Sequence, residues 1–276
     1  MLLSILARVH TRQDTFLLGN VSLNLTGVSC LQARHLSKFL SAILPFLAHV
    51  PVTIDTLETK RFSPRKNYDT NLLETGLLQV ADGTFFLLDE TVMKEGQLKG
   101  EGIAAIKAIA TLIEQQAVEY DFQYYQQSFP VNAGVLVTSD GRSMFKNTLH
   151  LPVRQSGPAP AAFDEQKFAQ VLADGELLGQ FRRYVLLLST FSDKSLAQYA
   201  IPTAVSEHAQ AVFVAVRQAE AASGGELRTN ADTFHQWLTH ARLLAVSQGS
   251  LELSQALFDR ARQMEAERLS RLATKP

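Results

Sequence analysis

Phe85-Phe86-Leu87-Leu88-Asp89-Glu90 decides how this chain reads. Four consecutive apolar residues are the short, unbroken pattern of a strand buried on both faces, as in a parallel sheet. The run stops on two carboxylates, where a buried strand emerges into a polar loop. Moving outward, Val135-Leu136-Val137-Thr138 repeats the pattern and closes on the turn sequence Ser139-Asp140-Gly141. Between the two, Ile103, Ile106, Ala110, Ile113 and Ala117 follow a helical stripe. Upstream, residues 17–25 read as a strand ended by Gly27. Leu36, Phe39, Leu40, Ile43 and Leu44 have helical spacing until Pro45 breaks it. Residues 50–54 read as a second short strand, and 72–80 as a strand pair or loop. This alternation predicts an α/β domain with a mostly parallel sheet and helices on its faces.

Beyond residue 163 the pattern becomes helical. Residues 168–189, 200–222, 234–248 and 253–272 carry apolar stripes of period 3.6, with Gly224-Gly225 and Gly249-Ser250 between the last three. Gln155-Ser-Gly-Pro-Ala-Pro-Ala-Ala-Phe163 has the composition of a linker. The expected organisation is an α/β domain over 1–154, a linker over 155–163 and a helical domain over 164–276.

Composition narrows the function classes. The 276 residues carry a formal net charge of −1, with 46% hydrophobic and 19% charged residues. These are globular values, and a near-zero charge counts against a protein that holds DNA by its own field. The single cysteine, Cys30, excludes an internal disulfide and predicts a reducing compartment. At the start, Met1-Leu2-Leu3-Ser4-Ile5-Leu6-Ala7 puts apolar residues before the charges at Arg8, Arg12 and Asp14, the reverse of a signal peptide. No apolar run reaches the ~20 residues of a membrane span. A soluble intracellular protein is expected. The apolar start has no capping residue, so the chain is expected to begin inside a larger fold. As a helix, Leu2, Leu3, Leu6 and Val9 would share a docking face.

A strand, a Gly-containing turn, a helix and then an apolar strand ending in Asp-Glu is the order of a P-loop ATPase. There the first turn cradles phosphates with backbone N–H groups, its Lys reaches the β- and γ-phosphates, and its Ser or Thr holds Mg²⁺. Counted from Gly27, the pattern G-x-x-x-x-G-K-[ST] needs Gly, Lys and Ser or Thr at positions that hold Gln32, Ala33 and Arg34. Asp89 and Glu90 fit a Mg²⁺-holding and water-activating pair in type and place, but without a phosphate loop they have no nucleotide-bound Mg²⁺ to hold. The plainer reading is a strand end meeting a polar loop. His235 and His240 are five apart and fall on different helix faces, and Cys30 has no neighbouring His or Cys, so no metal site is expected. No G-x-S-x-G elbow is present. Trp237, Phe234 and Leu238 read as core. The mixed charges from Asp259 to Lys275 read as a solvated helix face rather than a nucleic-acid surface.

Several runs resemble the minichromosome maintenance (MCM) complex-binding protein family. They are Leu3 to Leu6, Leu18 to Gly27, Glu74-Thr75-Gly76-Leu77-Leu78-Gln79-Val80, Leu88 to Thr91, Glu95 to Leu98, Val118 to Phe122, Phe129-Pro130, Val135 to Ser143, His235-Gln236-Trp237-Leu238 and Ala241 to Leu244. They occur in order over nearly the whole chain, and fit poorly at 155–163 and 200–228. The resemblance implies a degenerate AAA+-like module, a P-loop-like sheet domain followed by a small helical lid. It also implies a nuclear protein that binds MCM replicative helicase subunits and influences their assembly, nuclear supply or unloading, touching chromatin only indirectly. Active-site roles do not carry over. The polar sensor falls near Thr138 and Ser139 without the usual Asn, a lid arginine falls near Asp232, and no Ser-Arg-Phe finger lies between Leu151 and Phe163. Gly27, Asp89 and Glu90 remain as relic nucleotide-site positions. The expectation is a non-catalytic protein without cofactor or metal. The alternative is an ATPase with an atypical phosphate loop, and a DNA-binding replication factor is disfavoured by charge.

Overall fold

In the computed structural model, which describes residues 1–13, 16–153, 163–195, 199–222 and 229–273, the elements run as follows. The first half holds α1 (Leu2–Leu6), β1 (Thr11–Gln13), β2 (Phe16–Leu18), β3 (Leu23–Thr26), α2 (Cys30–Ile43), β4 (Leu47–Pro51), α3 (Ile54–Thr59), β5 (Arg65–Asn67), β6 (Leu72–Glu74) and β7 (Phe85–Asp89). It continues with α4 (Gly100–Gln115), β8 (Ala117–Asp121), β9 (Gln126–Pro130), β10 (Gly134–Ser139) and β11 (Leu149–Pro152). Five helices follow: α5 (Glu165–Ala173), α6 (Gly175–Ser195), α7 (Thr203–Ala222), α8 (Ala231–Ser247) and α9 (Gln255–Ala273).

Five parallel strands form the main sheet in the order β11-β3-β10-β7-β4. This is the mostly parallel α/β sheet expected of an AAA+-like module. The two strands with continuous apolar runs, β7 and β10, are buried along their whole length. Their side chains alternate between two cores, as period two requires. Phe86, Leu88, Val135 and Val137 pack with α3 and α4, including Leu57, Ile109 and Leu112. Phe85, Leu87 and Leu136 pack with Ile5, Leu40 and Ile43, and with Leu178 and Val185 of α6. A second sheet, β6-β5-β8-β9, is built from two hairpins joined by one parallel pair, Arg65 opposite Asp121.

The chain divides into two compact units. The first takes Met1, residues 3–9 and 20–185, and the second takes Leu2 and residues 10–19 and 186–276. Within the first, α5 is fastened to α2. His35 stacks on Phe163 at 4.1 Å, meets Phe168 edge-on and lies 2.9 Å from a Glu165 carboxylate oxygen. Within the second, α7, α8 and α9 enclose Val205, Ala209, Trp237, Ala241, Leu253 and Phe258, with Phe234 and Leu238 packed against them. Apart from Phe163, the segment read as a linker lies outside the described residues, as does Gly224-Gly225.

Four local readings are corrected. Residues 17–25 are two strands, because Gly19 turns the chain at φ 95° and β2 pairs back on β1 while β3 enters the main sheet. The strand read over 50–54 stops at Pro51, because the Thr53 side chain caps α3 by accepting from the Thr56 N–H. The helix read over 168–189 breaks at Asp174, which ends α5 and then accepts the Leu177 N–H at 2.9 Å. Helix α1 docks through Ser4, Ile5 and Leu6 rather than the Leu2–Leu3–Leu6–Val9 face, since the Ser4 hydroxyl donates to the Val21 carbonyl at 3.0 Å and fixes its rotation.

Candidate functional site

The strand register sets five C-terminal strand ends in a row. Thr26 faces Pro152 on one side and Ser139 on the other, Thr138 faces Asp89, and Asp89 faces Pro51. In open α/β sheets this edge is where ligands bind, and it is where Gly27, Asp89 and Glu90 all fall.

The turn after β3 has only three residues, Gly27, Val28 and Ser29, before α2 begins. Positions 32–34, where a phosphate loop would still be wrapping its ligand, therefore lie inside the helix. Ala33 stands where a Lys is needed and is fully buried, while Arg34 is exposed. The N–H donors are also taken. Gly27 donates to the Asp140 carbonyl at 3.0 Å and Val28 to the Ser139 carbonyl at 3.1 Å. The Ser29 N–H bonds the Gln32 side chain at 2.9 Å, and Ser29 Oγ accepts from the Gln32 N–H at 3.3 Å, a capping box. Gly27 itself is required. Its φ is +74°, and a Cβ there would lie 3.2 Å from the Val153 carbonyl oxygen. The turn is an ordinary helix start sealed against the end of β10 and the loop that follows it.

Asp89 and Glu90 have the expected chemical type but are buried, being 4% and 9% exposed. Asp89 Oδ1 accepts the Thr91 N–H at 3.0 Å, the Thr91 hydroxyl at 2.6 Å and the Thr138 hydroxyl at 3.2 Å. The His49 ring lies 3.9 Å from Oδ2. Burial pushes this carboxyl up, but the His49, Thr91 and Thr138 groups together outweigh it and hold the pKa below the usual range. Glu90 Oε1 accepts the Ser143 hydroxyl at 2.9 Å. Burial dominates here, and the bonds from Ser143 and the Met144 backbone only partly offset it, so the pKa rises to about 7. One acid is thus held ionised by donors, and its neighbour is pushed by burial toward its protonated form and turned into the 140–148 loop.

The sensor positions are absorbed in the same way. Thr138 serves Asp89, and Ser139 Oγ lies 3.1 Å from Asn24 Oδ1 and 2.9 Å from the Gly141 carbonyl. Asn24 continues the chain to His150 Nδ1 at 3.3 Å. Asp232 occupies the first turn of α8, where a carboxylate complements the helix dipole. A finger segment would fall largely within residues 154–162, outside the described residues. Among the described residues, no group of three or more His, Cys, Asp or Glu could hold a metal ion.

Sequence reading missed Thr91, Ser143 and His49. Thr91 had a signal, since an Asp two residues before a Thr is set to accept its backbone N–H. Ser143 had none. It is 53 positions from Glu90 and meets it only because the strands are parallel neighbours.

Residues 1–272 match the family described as "Mini-chromosome maintenance replisome factor". The chain is similar to proteins named mini-chromosome maintenance complex-binding protein from Gallus gallus (32% identical over 274 residues, 99% of this chain and 42% of the relative). It is similar to those of Drosophila melanogaster (33% over 280 residues, 100% and 44%) and Homo sapiens (32% over 276 residues, 99% and 41%). It thus spans less than half the length of these relatives. With the family's model covering nearly every residue, and with identity spread over the whole chain, this chain belongs to the mini-chromosome maintenance replisome factor family.

Proposed function

We propose that this chain is a non-catalytic regulator of DNA replication that binds MCM replicative helicase subunits in the nucleus and influences their assembly, supply or unloading from chromatin. The observation that carries the non-catalytic part is the sealed turn at Gly27–Ser29, whose N–H groups are spent on the Ser139 and Asp140 carbonyls and on the helix cap. A nucleotide would have to break these bonds to find donors, and would then meet a buried alanine in place of a lysine. The partner part is supported by family membership and by the names of the relatives.

The physical logic is mimicry of shape. AAA+ subunits associate side by side, so a module with the same sheet and helices can occupy a neighbour's place without hydrolysing anything. Such a protein contacts chromatin through the helicase, and its near-neutral charge gives it no strong hold on DNA of its own.

Two measurements test the reading. Pull-down with each helicase subunit separately is expected to retain at least one subunit, and retention of none refutes the partner. Calorimetric titration with Mg²⁺–ATP is expected to show no heat of binding below about 1 mM, because the charge-assisted contacts of the Lys and hydroxyl, worth about 1.5–3 kcal/mol each, are missing. Micromolar affinity would make the chain an ATPase with an atypical phosphate loop instead.

A further inference from the structure

We propose that Ser63 is a phosphorylation site for a proline-directed serine kinase, and that the phosphate is received by Arg61 and Arg65 in the cleft that Ser63 lines. Ser63-Pro64-Arg65-Lys66 carries the acceptor, a following proline, and cations at the next two positions. It is the only place in the 276 residues where Ser or Thr precedes Pro. Kinases that read proline after the acceptor and a cation at the third position would take this segment.

The segment is the irregular stretch between α3 and β5, so the acceptor is not inside a helix or strand. Phe62 and Pro64 are buried and anchor it, while Ser63 between them is half-buried. No hydrogen bond among the described residues ties up its hydroxyl. Ser63 lines a cleft of about 510 Å³ together with Lys60, Arg61, Arg65 and Lys107. Glu58, Glu101, Glu119 and Asp121 line it too, so the cleft holds cations and carboxylates in equal number before modification. Three of the four cations are engaged in exchangeable, solvent-accessible pairs: Arg61 with Glu74, Arg65 Nε with Asp121 at 3.4 Å, and Lys107 with Glu119 at 3.7 Å. A phosphate bearing close to two charges and three acceptor oxygens outcompetes a single carboxylate for a guanidinium. Arg65 opposite Asp121 is the only registered pair joining β5 to β8, so the exchange acts on the seam of the second sheet.

In the transfer, Ser63 Oγ attacks the γ-phosphorus of a nucleoside triphosphate. The bond from that phosphorus to the diphosphate leaving group breaks, and the hydroxyl proton passes to the kinase's base. The segment presents itself by local opening, which breaks three backbone bonds: Leu77 N–H to the Arg61 carbonyl at 2.9 Å, Leu78 N–H to the Phe62 carbonyl at 3.0 Å and Asp121 N–H to the Pro64 carbonyl at 2.8 Å.

The test uses the full chain, Mg²⁺–ATP and a proline-directed kinase that prefers a cation at the third position. Mass spectrometry is expected to place the phosphate on Ser63, with incorporation falling to background in Ser63→Ala. No incorporation in the folded chain, or phosphate placed elsewhere, overturns the acceptor assignment. On the modified chain, ³¹P resonance is expected to show the phosphate titrating at lower pH than in a phosphorylated peptide of residues 60–66, with the difference shrinking in Arg61→Gln or Arg65→Gln. Titration identical to the peptide's overturns the receiving role of the arginines.

Discussion

The turn at Gly27–Ser29 and the strand end at Asp89–Glu90 lie on the same edge of the same sheet, and they depart from a nucleotide site in opposite ways. The turn differs from a phosphate loop in residue types and length, and its donors are satisfied internally. The strand end matches the expected residue types and differs in their surroundings, which are buried and hydrogen-bonded. A residue pattern therefore tracks function well where backbone donors do the work, and poorly where side chains do. A buried, fully bonded carboxylate reads the same in sequence as an exposed catalytic one.

The largest test of this contrast is Asp89→Leu. It leaves the Thr91 N–H, the Thr91 hydroxyl and the Thr138 hydroxyl without an acceptor inside the sheet. We expect a loss of about 3–5 kcal/mol in urea unfolding; a loss below about 1 kcal/mol would mean that the strand end is a passive polar loop after all.

Next comes Glu90. Its native pKa of about 7 lies above that of the unfolded chain, so the folded state binds more protons between about pH 4.5 and 7, and stability falls as pH rises through that window. Glu90→Gln, which can still accept the Ser143 hydroxyl, is expected to remove that slope and to gain about 1–3 kcal/mol at pH 8. The depressed Asp89 acts with the opposite sign, its contribution being lost only as pH falls through the acid range below its unfolded value. An unchanged slope in urea midpoints from pH 5 to 8 would place Glu90 in water.

Gly27→Ala follows, at about 1–2 kcal/mol, from positive φ and the approach of the Val153 carbonyl. The smallest effect is on partners. This pair is buried rather than on the surface, so Asp89→Asn and Glu90→Gln are expected to leave helicase-subunit retention within a factor of about two to three wherever circular dichroism shows an intact fold. A large selective loss would turn the relic pair into an interaction site.

Much of the sheet was legible because β7 and β10 are fully buried, and full burial writes continuous apolar runs. The half-buried elements were not. The pattern over 17–25 is apolar enough for one strand, and nothing local says that β2 pairs backwards while β3 pairs sideways. The break at Asp174 was hidden because both flanking helices keep the same apolar period. At the site, the failure of positions 32–34 was visible by counting. The Gly27 and Val28 bonds that seal the turn go to residues more than a hundred positions away, and no local pattern encodes them. Gly76 belongs with these. It sits in a run shared with the family, and a Cβ there would lie 2.3 Å from the Phe62 carbonyl oxygen, so the run is held by a backbone crossing.

The brevity of the turn after β3 means that side-chain replacement alone does not build a phosphate loop at this place. Because α2 starts at Cys30, Ala33→Lys would drive an ammonium group into packed interior, and Arg34→Ser would place a hydroxyl on the outside of a helix. Neither change alone, nor both together, lengthens the loop or frees the Gly27 and Val28 donors. A phosphate loop here would need both a longer turn and release of the bonds from Gly27 and Val28 to the Asp140 and Ser139 carbonyls.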